Sequence, residues 1–201
     1  MRRLLFRIDR RWLKAVWAGV FATALGAMIF ARMPVSRNGT DSSLCNADFP
    51  NTYIRSIHID LTGPDHWVRL AWSGPKAIEQ ETGPFHSSPG AGLGDNDCDD
   101  VVESNRDGSN CTPKGRMLVE GFSDHIPSYP SCKFVTWFQR LRTIGFHSHW
   151  EIPAYPASHG CVRLSEHAAQ LIHNNAIIGK TEVIVDGTWT RPPTAGGEFT
   201  L

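Results

Sequence analysis

Residues 56–61, SIHIDL, set Ile57, Ile59 and Leu61 against Ser56, His58 and Asp60. Successive side chains on an extended chain point to opposite faces, so this alternation describes a strand with one buried face. WVRLAW alternates again after the turn TGPDH, and the two together predict a hairpin. GRMLVEGF at 115–122 and TEVIVDG at 181–187 read as further strands. Residues 133–149, KFVTWFQRLRTIGFHSH, fit either a helical face of Phe134, Trp137, Phe138 and Leu141 or two aromatic, β-branched strands. SEHAAQLIHNNAIIG at 165–179 is the one clear helix, with Ser165 as N-cap and Leu164, Ala168, Leu171, Ile172 and Ala176 in a stripe. The expected fold class is mainly β, with one or two short helices and no internal repeat.

Residues 83–113 are dense in Gly, Pro, Asp and Asn, which predicts no regular element and a loop too long for an ordinary connection. A bridge between Cys98 and Cys111 would close part of it. DNDCDD within it opens like a calcium loop, but Asp100 stands in the place of the turn glycine and Arg106 in that of the bidentate glutamate. Calcium is therefore a minor reading.

The first 14 residues carry five Arg and one Lys against one Asp, and Ala15–Ala31 follows without a charge. A cationic segment followed by an apolar run is an export leader, preceding the domain as an apolar helix that is either cleaved or kept as an inner-membrane anchor. As a helix this run would span about 25 Å, slightly short of the roughly 30 Å hydrocarbon core. The positive flank leaves the domain outside the cytoplasm. Residues 32–52 read as a linker, 53–187 as one domain and 188–201 as a loose tail.

From residue 33 onward, 13 Lys and Arg face 19 Asp and Glu, so the exported part is net acidic. That surface argues against nucleic acid. Five cysteines, at 45, 98, 111, 132 and 161, leave one thiol over in an exported chain. Cys45 and Cys132 are candidates for a second bridge.

Residues 145–163, GFHSHWEIPAYPASHGCVR, gather three histidines, a cysteine and an arginine. His147, His149, His159 and Cys161 could be zinc ligands, although Gly160 before Cys161 implies a turn rather than a regular claw. Cys161 could equally be a buried apolar residue or a disulfide half. The third reading is a nucleophile: Arg163 and a helix beginning just beyond favour a thiolate, an imidazole supplies a base, and Gly160 lets the amides of 159–161 turn towards one oxyanion.

SHGCVRL at 158–164, preceded by a histidine at the end of an aromatic segment, resembles the signature of L,D-transpeptidase catalytic domains, and CTPKG at 111–115 is similar to that family's T-P-x-G turn. The resemblance extends over residues 53–187. It implies a mostly β sandwich or mixed-sheet domain in which 133–149 forms paired strands. It also implies a periplasmic enzyme of a Gram-negative bacterium that needs no cofactor or metal and acts on peptidoglycan stem peptides. In such a domain Cys161 is the nucleophile, His147 the base, Ser148 the orienter through its carbonyl, and His159 to Cys161, including Gly160, the oxyanion donors. Ser158, Arg163, His149, Trp150 and Tyr155 fall on the substrate side, and the SDHIPSYPSC segment could cover the substrate. Ten residues separate His147 from Ser158, fewer than in the family's usual lid, and His149 stays a rival base. The acceptor is left open between an amine, giving cross-links, a protein lysine, giving anchoring or release, and water, giving a carboxypeptidase. A zinc hydrolase and a non-catalytic wall-binding module are the alternatives of other classes.

Overall fold

A computed structural model of the chain describes residues 51–192. The leader, nearly all of the linker with Cys45, and the last nine residues lie outside them. Among the described residues no helix is long and apolar enough to cross a membrane.

β1 (Tyr53–Asp60) and β2 (His66–Ser73) form the expected antiparallel hairpin, with Ile57 opposite Leu70 and Ile59 opposite Val68. All four side chains are buried, each stabilising the fold by about 1.5–3 kcal/mol relative to exposure. β3 (Phe85–Ser88) pairs with β2. α1 (Val101–Asn105) follows, capped by the Asp100 carboxylate, which accepts from the Glu103 amide. Next come β4 (Gly115–Leu118), β5 (Gly121–Ile126), β6 (Tyr129–Gln139) and β7 (Ile144–Ser148). β8 (Val162–Leu164), α2 (Glu166–Asn175) and β9 (Glu182–Asp186) complete the domain. The described strands make one mixed sheet in the order β4-β9-β1-β2-β3-β8-β7-β6-β5.

Two neighbours are parallel, β1 with β9 and β7 with β8. The second pairing builds the site. Parallel strands start at the same end of a sheet, so the chain leaving β7 must travel back before it enters β8. Residues 149–161 make that return, and Phe146 opposite Val162 sets the register. Cys161, one step before β8, therefore arrives beside the start of β7. α2 packs on β6 and β7, burying Ala168, Ala169 and Ile172. Every residue of β7, which lies inside the sheet between β8 and β6, is buried.

Several sequence expectations change. The 83–113 segment contains β3 and α1, because Phe85 finds a partner in β2 and Asp100 caps a short turn of helix, neither of which composition reveals. GRMLVEGF splits at Val119–Glu120 into β4 and β5, on opposite edges of the sheet. Residues 133–149 are paired strands, joined by a 3-10 turn at Arg140–Arg142. α2 keeps its Ser165 cap, which accepts from the Ala168 amide, but ends at Asn175 rather than 179. The chain also stays with the domain beyond 187: Trp189 is buried in the core and donates its indole N–H to Gly90 O at 3.0 Å. Cys98 and Cys111 form a disulfide with Cα atoms 5.4 Å apart.

Candidate active site

Cys161 and His147 line one cleft of about 380 Å³, together with Cys132, Arg142, Thr143, His149, Ser158, His159 and Arg163. The strand register puts His147 opposite Arg163, so the imidazole and the guanidinium emerge on the same face as neighbours.

The turn that carries Cys161 is built by Ser158. Its hydroxyl donates to the carbonyl of Cys161 in a short hydrogen bond and accepts the Gly160 N–H at 3.1 Å. Gly160 sits at φ 117°, where a side chain is strained, and an added Cβ would lie 3.0 Å from Cys111 O. Glycine is therefore the residue that fits. This arrangement corrects two expectations: the Gly160 amide is consumed within the turn and is no oxyanion donor, and the Ser158 hydroxyl is spent on the backbone rather than offered to a substrate.

Cys161 is partly exposed to the cleft and its thiol donates to Thr143 O at 3.4 Å. Burial of the sulfur pushes the thiol up to about 11, against the pull of a Gly145 backbone hydrogen bond and of the Arg163 charge. His147 is buried, and its desolvation brings the imidazole down to about 4. The resting pair is thus a neutral thiol and a neutral imidazole, not the ready thiolate that the sequence suggested.

His147 Nδ1 lies 2.9 Å from Ser148 O. A carbonyl only accepts, so Nδ1 carries the proton and Nε2 keeps a free lone pair, the form a base requires. Ser148 is itself fixed, since its hydroxyl accepts the Lys133 N–H at 3.0 Å. His149 Nδ1 lies 2.7 Å from Glu151 O and 3.0 Å from Glu151 N, and its ring stacks on Trp150, with centroids 5.5 Å apart; unlike His147 it is only half-buried.

The remaining expected residues separate. His159 is exposed at the cleft. Trp150 stands 83 % exposed beyond His149. Tyr155 borders a different cavity of about 350 Å³, beside Pro64, His66 and Arg191. The four proposed zinc ligands do not converge, and among the described residues no group of three or more His, Cys, Asp or Glu could hold a metal. The aspartates of DNDCDD serve the loop: Asp100 caps α1, and Asp99 accepts from Lys114 Nζ at 3.1 Å and from the Trp189 amide at 2.6 Å. Cys132 lies buried in the same cleft with a free thiol. SDHIPSYPSC spans the β5–β6 hairpin, which brings Ile126 and Tyr129 to the cleft.

Arg142 and Thr143 carried no motif, and sequence reasoning missed them. Arg142 ties the 3-10 turn to the disulfide loop, donating to Ser104 O at 3.0 Å, Ser109 Oγ at 3.0 Å and Cys111 O at 3.4 Å. Thr143, at φ 53°, turns its carbonyl to the Cys161 thiol.

Comparison with known proteins gives one family. The family model of the L,D-transpeptidase catalytic domain, YkuD, matches residues 76–185. Similar solved structures include an L,D-transpeptidase from Xylanimonas cellulosilytica, 23% identical over 67% of this chain and 61% of that one, with a TM-score of 0.45. An L,D-transpeptidase from Mycobacterium tuberculosis is 20% identical over 65% of this chain and 57% of that one, with a TM-score of 0.45. One from Stackebrandtia nassauensis is 14% identical over 76% of this chain and 63% of that one, with a TM-score of 0.43. The chain thus spans about three-fifths of each of these longer chains. No curated protein sequence matches it. With more than half of its length matched by the family model, the chain belongs to the L,D-transpeptidase catalytic domain family.

Proposed function

We propose that the protein is a periplasmic L,D-transpeptidase acting on peptidoglycan stem peptides. The observation that carries this reading is the shared cleft of Cys161 and His147, with His147 Nδ1 2.9 Å from Ser148 O and Nε2 left as the basic atom. The donor substrate is a tetrapeptide stem, attacked at the amide between the L-centre of diaminopimelate and the terminal D-alanine.

The thiol must lose its proton as it attacks, because burial raises its pKa. His147 takes that proton as the Sγ–C bond forms and passes it to the D-alanine nitrogen as the C–N bond breaks. A thioester remains on Cys161. An amine of a neighbouring stem then attacks the thioester, and the sulfur leaves and recovers its proton. Arg163, the charge that pulls the Cys161 pKa down, favours negative charge on sulfur along this path. The amides of His159 and Cys161 are the remaining candidates for the oxyanion donors.

Incubation of the full chain with purified tetrapeptide stems, followed by mass spectrometry, tests the proposal. Cross-linked dimer with loss of D-alanine is the expected product. D-Alanine release without dimer would assign water as the acceptor, and unchanged stems together with no carbapenem adduct on Cys161 would refute the acyl-transfer reading.

A further inference from the structure

Thr112 lies outside the nucleophile motif, is 2 % exposed, and belongs to the turn after the disulfide. Its hydroxyl makes two hydrogen bonds, accepting from the Gly90 N–H at 2.8 Å and donating to the Gly160 carbonyl at 2.8 Å. Both bonded groups belong to the scaffold of the nucleophile. Gly90 forms a parallel bridge with Ser158, and the neighbouring Ala91 N–H donates to Ser158 O at 2.8 Å. Gly160 immediately precedes Cys161.

A trans peptide is planar, with its C=O and the following N–H pointing in opposite directions. Fixing the Gly160 carbonyl on the buried Thr112 hydroxyl therefore aims the Cys161 N–H away from Thr112. That amide lies outside the β7–β8 ladder, which begins at Phe146 and Val162, so the sheet does not fix its direction. The Gly160 amide is already bound to Ser158 Oγ, which leaves the Cys161 N–H as a donor whose aim matters.

We propose that Thr112 is a positioning residue for acyl transfer: by holding the Gly160 carbonyl, it sets the Cys161 amide as an oxyanion donor. The disulfide loop makes the anchor rigid. Cys111, the residue before Thr112, is joined to Cys98, and its carbonyl receives Arg142 at 3.4 Å while lying under Gly160. A serine in place of Thr112 keeps the hydroxyl and both bonds, whereas valine keeps the shape and loses them.

This inference rests on the acyl-transfer reading above, and its test separates the two. The full chain and its Thr112→Val, Thr112→Ser and Thr112→Ala variants are treated with a carbapenem and, separately, with iodoacetamide, and Cys161 adducts are timed by intact mass. Acylation forms an S–C bond at the lactam carbonyl, breaks the ring C–N bond and passes through an oxyanion. Alkylation displaces iodide at a saturated carbon and passes through none. Thr112→Val is expected to slow acylation about 10- to 100-fold, up to the lower end of the range for a lost oxyanion donor because the amide is misaimed rather than removed, while alkylation stays within about twofold and Thr112→Ser restores acylation. Thr112→Ala carries the same expectation should valine prevent folding. Acylation at the wild-type rate in the variant lacking the hydroxyl overturns the inference alone, as does an equal fall of acylation and alkylation. No adduct on the wild-type protein overturns the acyl-transfer reading and this inference with it.

Discussion

The thiol of Cys161 donates to the carbonyl of Thr143 at 3.4 Å, an acceptor supplied by a left-handed residue between two strands. A carbonyl stabilises S–H and repels S⁻, so this contact and the desolvation of the sulfur act together to hold the resting nucleophile neutral. Under the proposed mechanism, reactivity then depends on proton removal by His147 during attack and not on a standing population of thiolate.

The pH dependence follows from the neutral pair. Burial holds His147 at about 4 and Cys161 at about 11, so both keep the protonation state needed for base-assisted attack over the whole interval between. Carbapenem acylation should therefore be flat from about pH 6 to about pH 9. A tenfold rise per pH unit over that interval would show that the reaction runs through free thiolate. Stability has its own sign: the folded His147 pKa lies below the unfolded value, so the unfolded state binds the extra proton and stability falls as pH drops from about 6.5 to about 4. His147→Asn should reduce this loss by on the order of 3 kcal/mol, as read from urea midpoints at the two ends.

Arg163 pulls the thiol down electrostatically. Arg163→Gln removes that charge, so Cys161 should titrate higher and react with iodoacetamide roughly three- to tenfold more slowly at a fixed pH near 8. Timed alkylation over a pH series measures it, and an unchanged alkylation pKa would contradict the charge argument.

The bridge between Cys98 and Cys111, 13 positions apart, closes a loop for which chain entropy gives about 3 kcal/mol. Cys98→Ser should lower the denaturant midpoint by a corresponding amount. It should also slow carbapenem acylation severalfold more than iodoacetamide alkylation, because Thr112 follows directly on Cys111. Equal slowing of both reactions would mean general loosening of the loop.

Trp150 is 83 % exposed and stacks on His149. Trp150→Ala should change stability by less than about 0.5 kcal/mol, as expected of a surface site away from the core. If the ring meets the stem peptide, KM should rise several-fold with kcat little altered. An unchanged KM would remove Trp150 from the substrate side.

The β1–β2 hairpin was legible because Ile57 and Ile59 face the same side by strand period alone, and the start of α2 because a serine oxygen can satisfy an orphan amide of the first turn. The motif around Cys161 was legible as well, since Gly160 at positive φ and a cysteine beside it are local demands on the chain. Val119 and Glu120 gave no such sign of the break between β4 and β5, because which sheet edge a strand joins depends on partners far along the chain. Trp189 was equally silent: its tail composition reads as loose, and only the fold shows that it is held, by its burial, the indole bond to Gly90 O and the amide bond to Asp99.

What the sequence determined by itself was the chemistry on offer, a thiol, imidazoles and a guanidinium within 19 residues, along with a mainly β chain to carry them. Only the tertiary structure decided how they are arranged: which histidine is buried opposite Arg163, that the thiol rests protonated against Thr143, and that Thr112 and Arg142 brace the turn. Residue types and local periods are written in the chain, whereas desolvation and hydrogen-bond partners come from segments that meet only when β7 and β8 pair in parallel and the disulfide loop packs beneath them.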